Sequence, residues 1–263
     1  MDTLPVSGSL DLLACPKCHR PLSAEGDPIQ CTGCGNAYPR RDGFIDFAPE
    51  IETPASYGQA VMESRAYVTI YESVVRPNFV RVMSRNWGQA FTDADEEAYL
   101  ARFLDPQDGR ILDVACGTGR WTRAIAERFG PDRTIGFDLS FAMLRASRAA
   151  LPGVSFLRGT AEKLPFADGS LGAINCWAAL QLVPNPEAAL AESARCLRPG
   201  GTWTCFTFRE SEDPIYRYFQ ATHAPGLPSF TDEQIRAWVS RHGMEVVDLS
   251  GPELALFVTA RRR

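Results

Sequence analysis

The sequence predicts an α/β fold: a mostly parallel sheet of seven strands with helices on both faces, preceded by a small cysteine-rich module and a helical segment. Three observations carry that expectation. From Arg110 onward, short apolar runs alternate with amphipathic stretches, the pattern of a parallel sheet whose crossovers are helices. A glycine turn, Cys116-Gly117-Thr118-Gly119, follows the first apolar run, and the second run ends on Asp138. Two Cys-x-x-Cys pairs lie within the first 34 residues. The organisation expected is a module over 1–50, a helical cover over 51–105 and the α/β domain over 106–263.

In the module, Cys15 and Cys18 are separated from Cys31 and Cys34 by twelve residues. Each Cys-x-x-Cys turns tightly enough to put two sulfurs on one ion, and two such knuckles make the tetrahedral thiolate shell that Zn2+ accepts. Four thiolates close the shell, so the metal is expected to be structural and to supply much of the module's folding energy. His19 adjoins the first knuckle and is read as exposed. The other four of the eight cysteines sit among apolar runs and behave as small hydrophobes. The whole pattern suits a metal site in a reducing compartment.

A polar, proline-bracketed linker over 49–54 leads into a helical pattern over 56–86. Val61, Tyr67, Val68, Tyr71, Val74 and Val75 recur at spacings of three and four, and Pro77 is expected to interrupt the helix. Tyr67 or Tyr71 is expected to reach a pocket in the main domain, while Glu72 and Arg76 have the i,i+4 spacing of a surface pair. A further helix is expected over 93–103, capped by Thr92 or Asp93.

The main domain reads as strands over 111–115, 134–138, 154–157, 172–176 and 202–208, with helices over 120–129, 141–151 and 186–197 between them. A helix from Thr231 to Arg241 and two strands, 245–249 and 255–260, follow. A strand that stops at a glycine turn before a helix lets a ligand lie directly on the backbone. Asp138, about 20 residues on, is placed to accept from ribose hydroxyls. The third glycine of a dinucleotide fingerprint is absent, Thr122 standing there, and no P-loop occurs.

Leu112-Asp113-Val114-Ala115-Cys116-Gly117-Thr118-Gly119 resembles motif I of the class I, Rossmann-like methyltransferases. Gly159-Thr160-Ala161-Glu162-Lys163-Leu164-Pro165-Phe166 resembles that family's adenine loop, and 189–201 resembles its helix and turn before the fifth strand. The nearest branch in pattern holds the ubiquinone and menaquinone methyltransferases. The cysteine module resembles the zinc ribbon of Trm112-like proteins.

These resemblances imply S-adenosylmethionine as cofactor, with S-adenosylhomocysteine as its product, and a structural Zn2+. They imply that Gly117 and Gly119, with Ala115, admit the methionine part and that Asp138 binds ribose. Leu139 and Met143 would pack on adenine or ribose, Ala161 and Glu162 would meet the adenine edge, and Cys176 and Trp177 would floor the site. Tyr67 would close it from the cover. Asp113 is either a partner of the cofactor's amino end or a structural acid that satisfies the loop.

Function is bounded by what is missing. The formal net charge of −5 disfavours a dedicated nucleic-acid binder, and Arg261-Arg262-Arg263 reads as a solvated tail. There is no apolar run of about 20 residues and no signal-peptide pattern, so a cytoplasmic protein without a membrane span is expected. Asn175-Cys176-Trp177-Ala178 lacks the prolines of enzymes that methylate adenine's exocyclic amine. Leu180-Gln181 stands where the quinone branch often has Leu-His, so histidine-assisted chemistry is not expected there. Gln181 and His223 are the candidate catalytic side chains; His242 is read as a helix cap. Trp177, Tyr216, Tyr218 and Phe219 are either core or the wall of an apolar pocket. The expected activity is methyl transfer to oxygen or carbon of a small lipophilic or aromatic metabolite. The alternatives are a ribosomal RNA guanine methyltransferase that uses the ribbon to recognise RNA and a non-catalytic cofactor-binding regulator. A protein partner docking through the ribbon is also expected.

Overall fold

The computed structural model describes residues 12–23, 26–51, 64–223 and 227–263. Four two-residue strands build the ribbon: β1 (Ile29–Gln30) pairs with β2 (Ala37–Tyr38), and β3 (Arg40–Arg41) with β4 (Phe44–Ile45). The main sheet holds β5 (Ile111–Val114), β6 (Thr134–Asp138), β7 (Ser155–Arg158), β8 (Leu171–Trp177), β9 (Leu197–Phe208), β10 (Met244–Ser250) and β11 (Ala255–Arg262). Their spatial order is β10-β11-β9-β8-β5-β6-β7. The run from β9 to β7 is parallel, while β10 and β11 add antiparallel strands at the other edge.

Every residue of β5, β7 and β8 is buried, as strands covered on both faces must be. Side-chain alternation divides the covers. Cys205 and Val258 share a core with Leu190 of α6 (Pro186–Cys196), Val239 of α8 (Asp232–Arg241) and the ribbon's Leu13, Ile45 and Phe47. Phe206 and Phe257 face the other way, onto α2 (Arg76–Met83), α3 (Asp93–Phe103) and Trp121 of α4 (Arg120–Phe129). Chain order runs from β5 to β6 on one side and returns to β8 on the other. The crevice at the carboxyl ends of β5 and β8 is therefore the topological switch point where such sheets bind ligands.

The ribbon is not a tethered appendage. Ala14 N–H donates to Pro165 O at 3.0 Å, and Phe47 N–H donates to Arg158 O at 2.8 Å beside the outer strand β7. Arg158, only 4% exposed, donates to Asp46 Oδ1 (2.6 Å), Ala48 O and Ile51 O, and its Nε donates to Leu139 O. One guanidinium thus joins the ribbon's exit to the loop after Asp138.

Three elements depart from expectation. The helix does not break at Pro77: α1 (Arg65–Ile70), a π turn (Tyr71–Val75) and α2 run on in sequence. Arg76 N–H reaches back to Tyr71 O, and this wider register precedes the position where proline has no N–H to give. A helix, α7 (Pro214–His223), occupies the segment expected to be loop; Tyr216 and Gln220 anchor it on Val82 O and Met83 O. β9 begins at Leu197 rather than 202, because Leu197 already pairs with Leu171 of β8 before the register shifts to the Ala173–Thr202 pair. Val61 and residues 52–54 of the linker fall outside the described residues. Among the described residues, no helix is long and apolar enough to cross a membrane.

Candidate cofactor and metal sites

At the metal site the four sulfurs of Cys15, Cys18, Cys31 and Cys34 all lie within 4.8 Å of one another. Cys15–Cys34 and Cys18–Cys31 are 3.7 and 3.4 Å apart. A tetrahedron of sulfurs about 2.3 Å from zinc has edges of about 3.8 Å, so the donor set and its spacing fit Zn2+. The N–H groups of Gly33 and Cys34 point at Cys31 Sγ, and Tyr38 Oη lies 3.0 Å from Cys15 Sγ. Burial raises the Cys31 thiol, but those N–H groups and Cys18 outweigh it and hold it at about 6, towards the thiolate a metal needs. His19 is exposed, as expected.

At the switch point the loop after β5 carries three left-handed residues, Ala115 (φ 54°), Gly117 (φ 56°) and Gly119 (φ 86°). Ala178, at the end of the adjacent β8, is also left-handed (φ 55°). Two alanines held in a region that costs a Cβ-bearing residue energy mark this crevice as strained by design of the turn. Asp138, at the end of β6, accepts from Gly117 N–H (2.9 Å) and Ser140 N–H (2.8 Å). Ser147, on α5 (Phe141–Ala150), donates to Gly117 O, so the loop is fixed from both sides. A backbone cradle opened by two glycines and a carboxylate beside it suit a nucleoside with a charged tail, and so fit S-adenosylmethionine.

Asp113 is bonded within the protein on both of its carboxylate oxygens. It is 1% exposed and accepts from Thr122 Oγ1 (2.5 Å) and Asn175 Nδ2 (2.7 Å), while Thr204 donates to Asn175 Oδ1. This chain of bonds ties β5, β8, β9 and α4 together beneath the loop. Burial raises the Asp113 carboxyl to about 6 although both bonds favour the charge.

Other expected residues are committed to the protein itself. Gln181 is buried, donating to Ala178 O and accepting from Thr207, so it braces the turn after β8 rather than presenting its amide to a substrate. Trp177 is walled by Trp121, Phe206 and Phe257, and its indole N–H donates to Glu96 Oε2. Glu162 accepts from Asn185 N–H, and Met143 and Cys176 are buried in the core. Leu139 and Ala161 are half-buried beside the crevice. His223 ends α7, but its side chain lies outside the described residues. His242 caps α8 and lies 3.3 Å from Glu187.

The cover lies directly on the glycine turn. A Cβ on Gly117 would stand 4.0 Å from the Tyr71 ring, and Tyr67 packs on Tyr71 with centroids 5.6 Å apart. Of the two tyrosines, Tyr71 is therefore the one against the loop; burial raises its phenol, which stays protonated near neutral pH. Glu72 accepts from Thr118 Oγ1 (2.5 Å) instead of pairing with Arg76. Arg76 is buried and reaches Glu96 (2.5 Å) and Asp93 (3.1 Å). Burial raises Glu96 to about 7, against the pull of Arg76 and the Trp177 N–H. Sequence spacing concealed this network, but the Trp177 indole, which needs an acceptor once buried, was a signal for it.

Residues 111–201 match the family described as methyltransferase domain, and residues 9–43 match Trm112p-like protein. The matched stretch runs from β5 to the start of β9 and so includes the glycine turn and Asp138. A chloroplastic methyltransferase of Arabidopsis thaliana, itself uncharacterized, is 28% identical over 229 residues, covering 76% of this chain. This chain spans 62% of that relative's length. The demethylmenaquinone methyltransferase of Lactococcus lactis is 37% identical over 113 residues, 41% of this chain and 45% of that one. One chain of the complex formed by the Haloferax volcanii Trm112 methyltransferase activator superposes with a TM-score of 0.58 at 21% identity, over 76% of this chain and 96% of that one. The geranyl diphosphate C-methyltransferase of Streptomyces coelicolor gives 0.56 at 15% identity, over 65% and 78%. At these identities the superpositions speak for the fold.

Proposed function

We propose that this protein transfers a methyl group from S-adenosylmethionine to oxygen or carbon of a small lipophilic or aromatic metabolite. The observation that carries the reading is the meeting of the glycine turn and Asp138 at the switch point, joined by the bond from Gly117 N–H to the Asp138 carboxylate. The cofactor brings an activated methyl on a sulfonium, so the chain's own residues position a nucleophile and exclude water. A carbon or phenolate nucleophile needs no dedicated base, which agrees with the internal commitments of Gln181 and Asp113.

The apolar choice of substrate is supported by where large hydrophobic residues stay exposed. Ile70 and Val74 lie on the cover, Leu182 in the turn after β8, and Ile215 and Tyr218 on α7 after β9, elements that attend the carboxyl edge of the sheet. Demethylmenaquinone methyltransferases among the relatives point the same way. The ribbon, clasped through Leu13, Phe47 and Arg158, serves as an internal counterpart of a separate Trm112 activator.

Incubation of the zinc-loaded protein with methyl-labelled cofactor tests the reading. Label is expected in a solvent-extractable product from a panel of hydroquinones and phenols. Label in ribosomal RNA and not in that panel would overturn the substrate class.

A further inference from the structure

We propose that Glu72 and Arg120 hold the amino-acid end of S-adenosylmethionine, Glu72 accepting from its α-ammonium group and Arg120 donating to its α-carboxylate. This rests on the cofactor reading above and assigns two residues to it, one of them outside the methyltransferase motifs.

Glu72 sits in the π turn of the cover and Arg120 opens α4 immediately after Gly119. Both meet the glycine turn, Glu72 through its bond from Thr118 and Arg120 as the residue that follows Gly119. Glu72 Oε1 is held by Thr118 Oγ1, and Arg120 Nη2 is held by Asp93 Oδ2 at 2.8 Å. The remaining atoms are the telling ones. Glu72 Oε2 and Arg120 Nε are both buried atoms without a hydrogen-bond partner. Arg120 Nη1 lies 3.8 Å from Glu72 Oε2, close enough to attract it but too far for a hydrogen bond.

Leaving a buried polar atom without a hydrogen bond is costly, and native structures seldom keep such atoms on two neighbouring side chains without a reason. A ligand that relieves both must bring one donor and one acceptor of opposite charge. Adenine and ribose are uncharged, and Asp138 already stands for ribose. An α-amino acid zwitterion brings an ammonium and a carboxylate on one carbon, beside the backbone cradle where the methionine part would lie. A singly charged tail would leave either Glu72 Oε2 or Arg120 Nε without a hydrogen bond.

The test compares S-adenosylhomocysteine with 5′-methylthioadenosine, which has the same adenosine and thioether but no amino-acid end. Calorimetric titration is run on the zinc-loaded full chain and on Glu72→Gln and Arg120→Gln. Wild type is expected to bind both ligands. Each variant is expected to weaken S-adenosylhomocysteine about tenfold or more, the scale of a lost charged hydrogen bond. Methylthioadenosine should stay within about twofold, which also shows that the variants are folded. Equal weakening of both ligands, or no weakening of either, would overturn the assignment while leaving the cofactor reading intact. A wild type that binds neither ligand would instead remove the cofactor reading and this assignment with it.

Discussion

Asp113 shows how neighbours hold one acidic side chain inside the fold. With Thr122 and Asn175 on its two oxygens and 1% exposure, it organises the floor of the loop. Its raised carboxyl, at about 6, has a consequence for stability. An unfolded aspartate titrates at about 3.9, so between the two values the native state holds a proton that the unfolded chain has lost. Relative to Asp113→Asn, wild type should lose stability as pH rises from about 4 to about 6 and change little above that. Urea unfolding of the two proteins across that range checks it; a difference that grows in favour of wild type would contradict it.

At the scale of elements, two devices carry much of the architecture. Thr92 caps α3 with a reciprocal bond to Asp95, and Thr92→Ala should cost about 1 kcal/mol in a denaturant midpoint. Arg158 is a larger matter, because it joins the ribbon's exit to the loop after Asp138 from a buried position. Arg158→Met leaves buried Asp46 with only the longer pair to Arg41 (3.7 Å) and the Ala48 N–H, and should cost about 3 kcal/mol, read by the same unfolding measurement.

The strands were legible because period and turn chemistry agree: 134–138 was read as a strand and β6 has those bounds. The sequence offers no sign of α7 because its anchoring positions, half-buried Tyr216 and buried Gln220, make sense only once Val82 and Met83 are beside them. The cysteine knuckles and the glycine turn were legible as local spacings. The Glu72–Thr118 and Arg76–Glu96 bonds were not, since they join residues far apart in sequence and the i,i+4 rule offered a plausible local partner.

For the whole molecule, the shared core of ribbon and sheet predicts that metal and fold are linked. Leu13, Ile45 and Phe47 pack in one cluster with Leu157, Leu164 and Phe166. Chelating the metal should therefore lower the melting temperature of the main domain in a single transition. An early ribbon transition followed by an unchanged main one would show that the two are independent.

The central claim, that the switch-point crevice is an S-adenosylmethionine site, is tested most directly by calorimetric titration of S-adenosylhomocysteine into the zinc-loaded wild type and Asp138→Ala. The account predicts micromolar binding by wild type and at least about a tenfold loss in the variant. A folded, zinc-loaded wild type that takes up no ligand would contradict it.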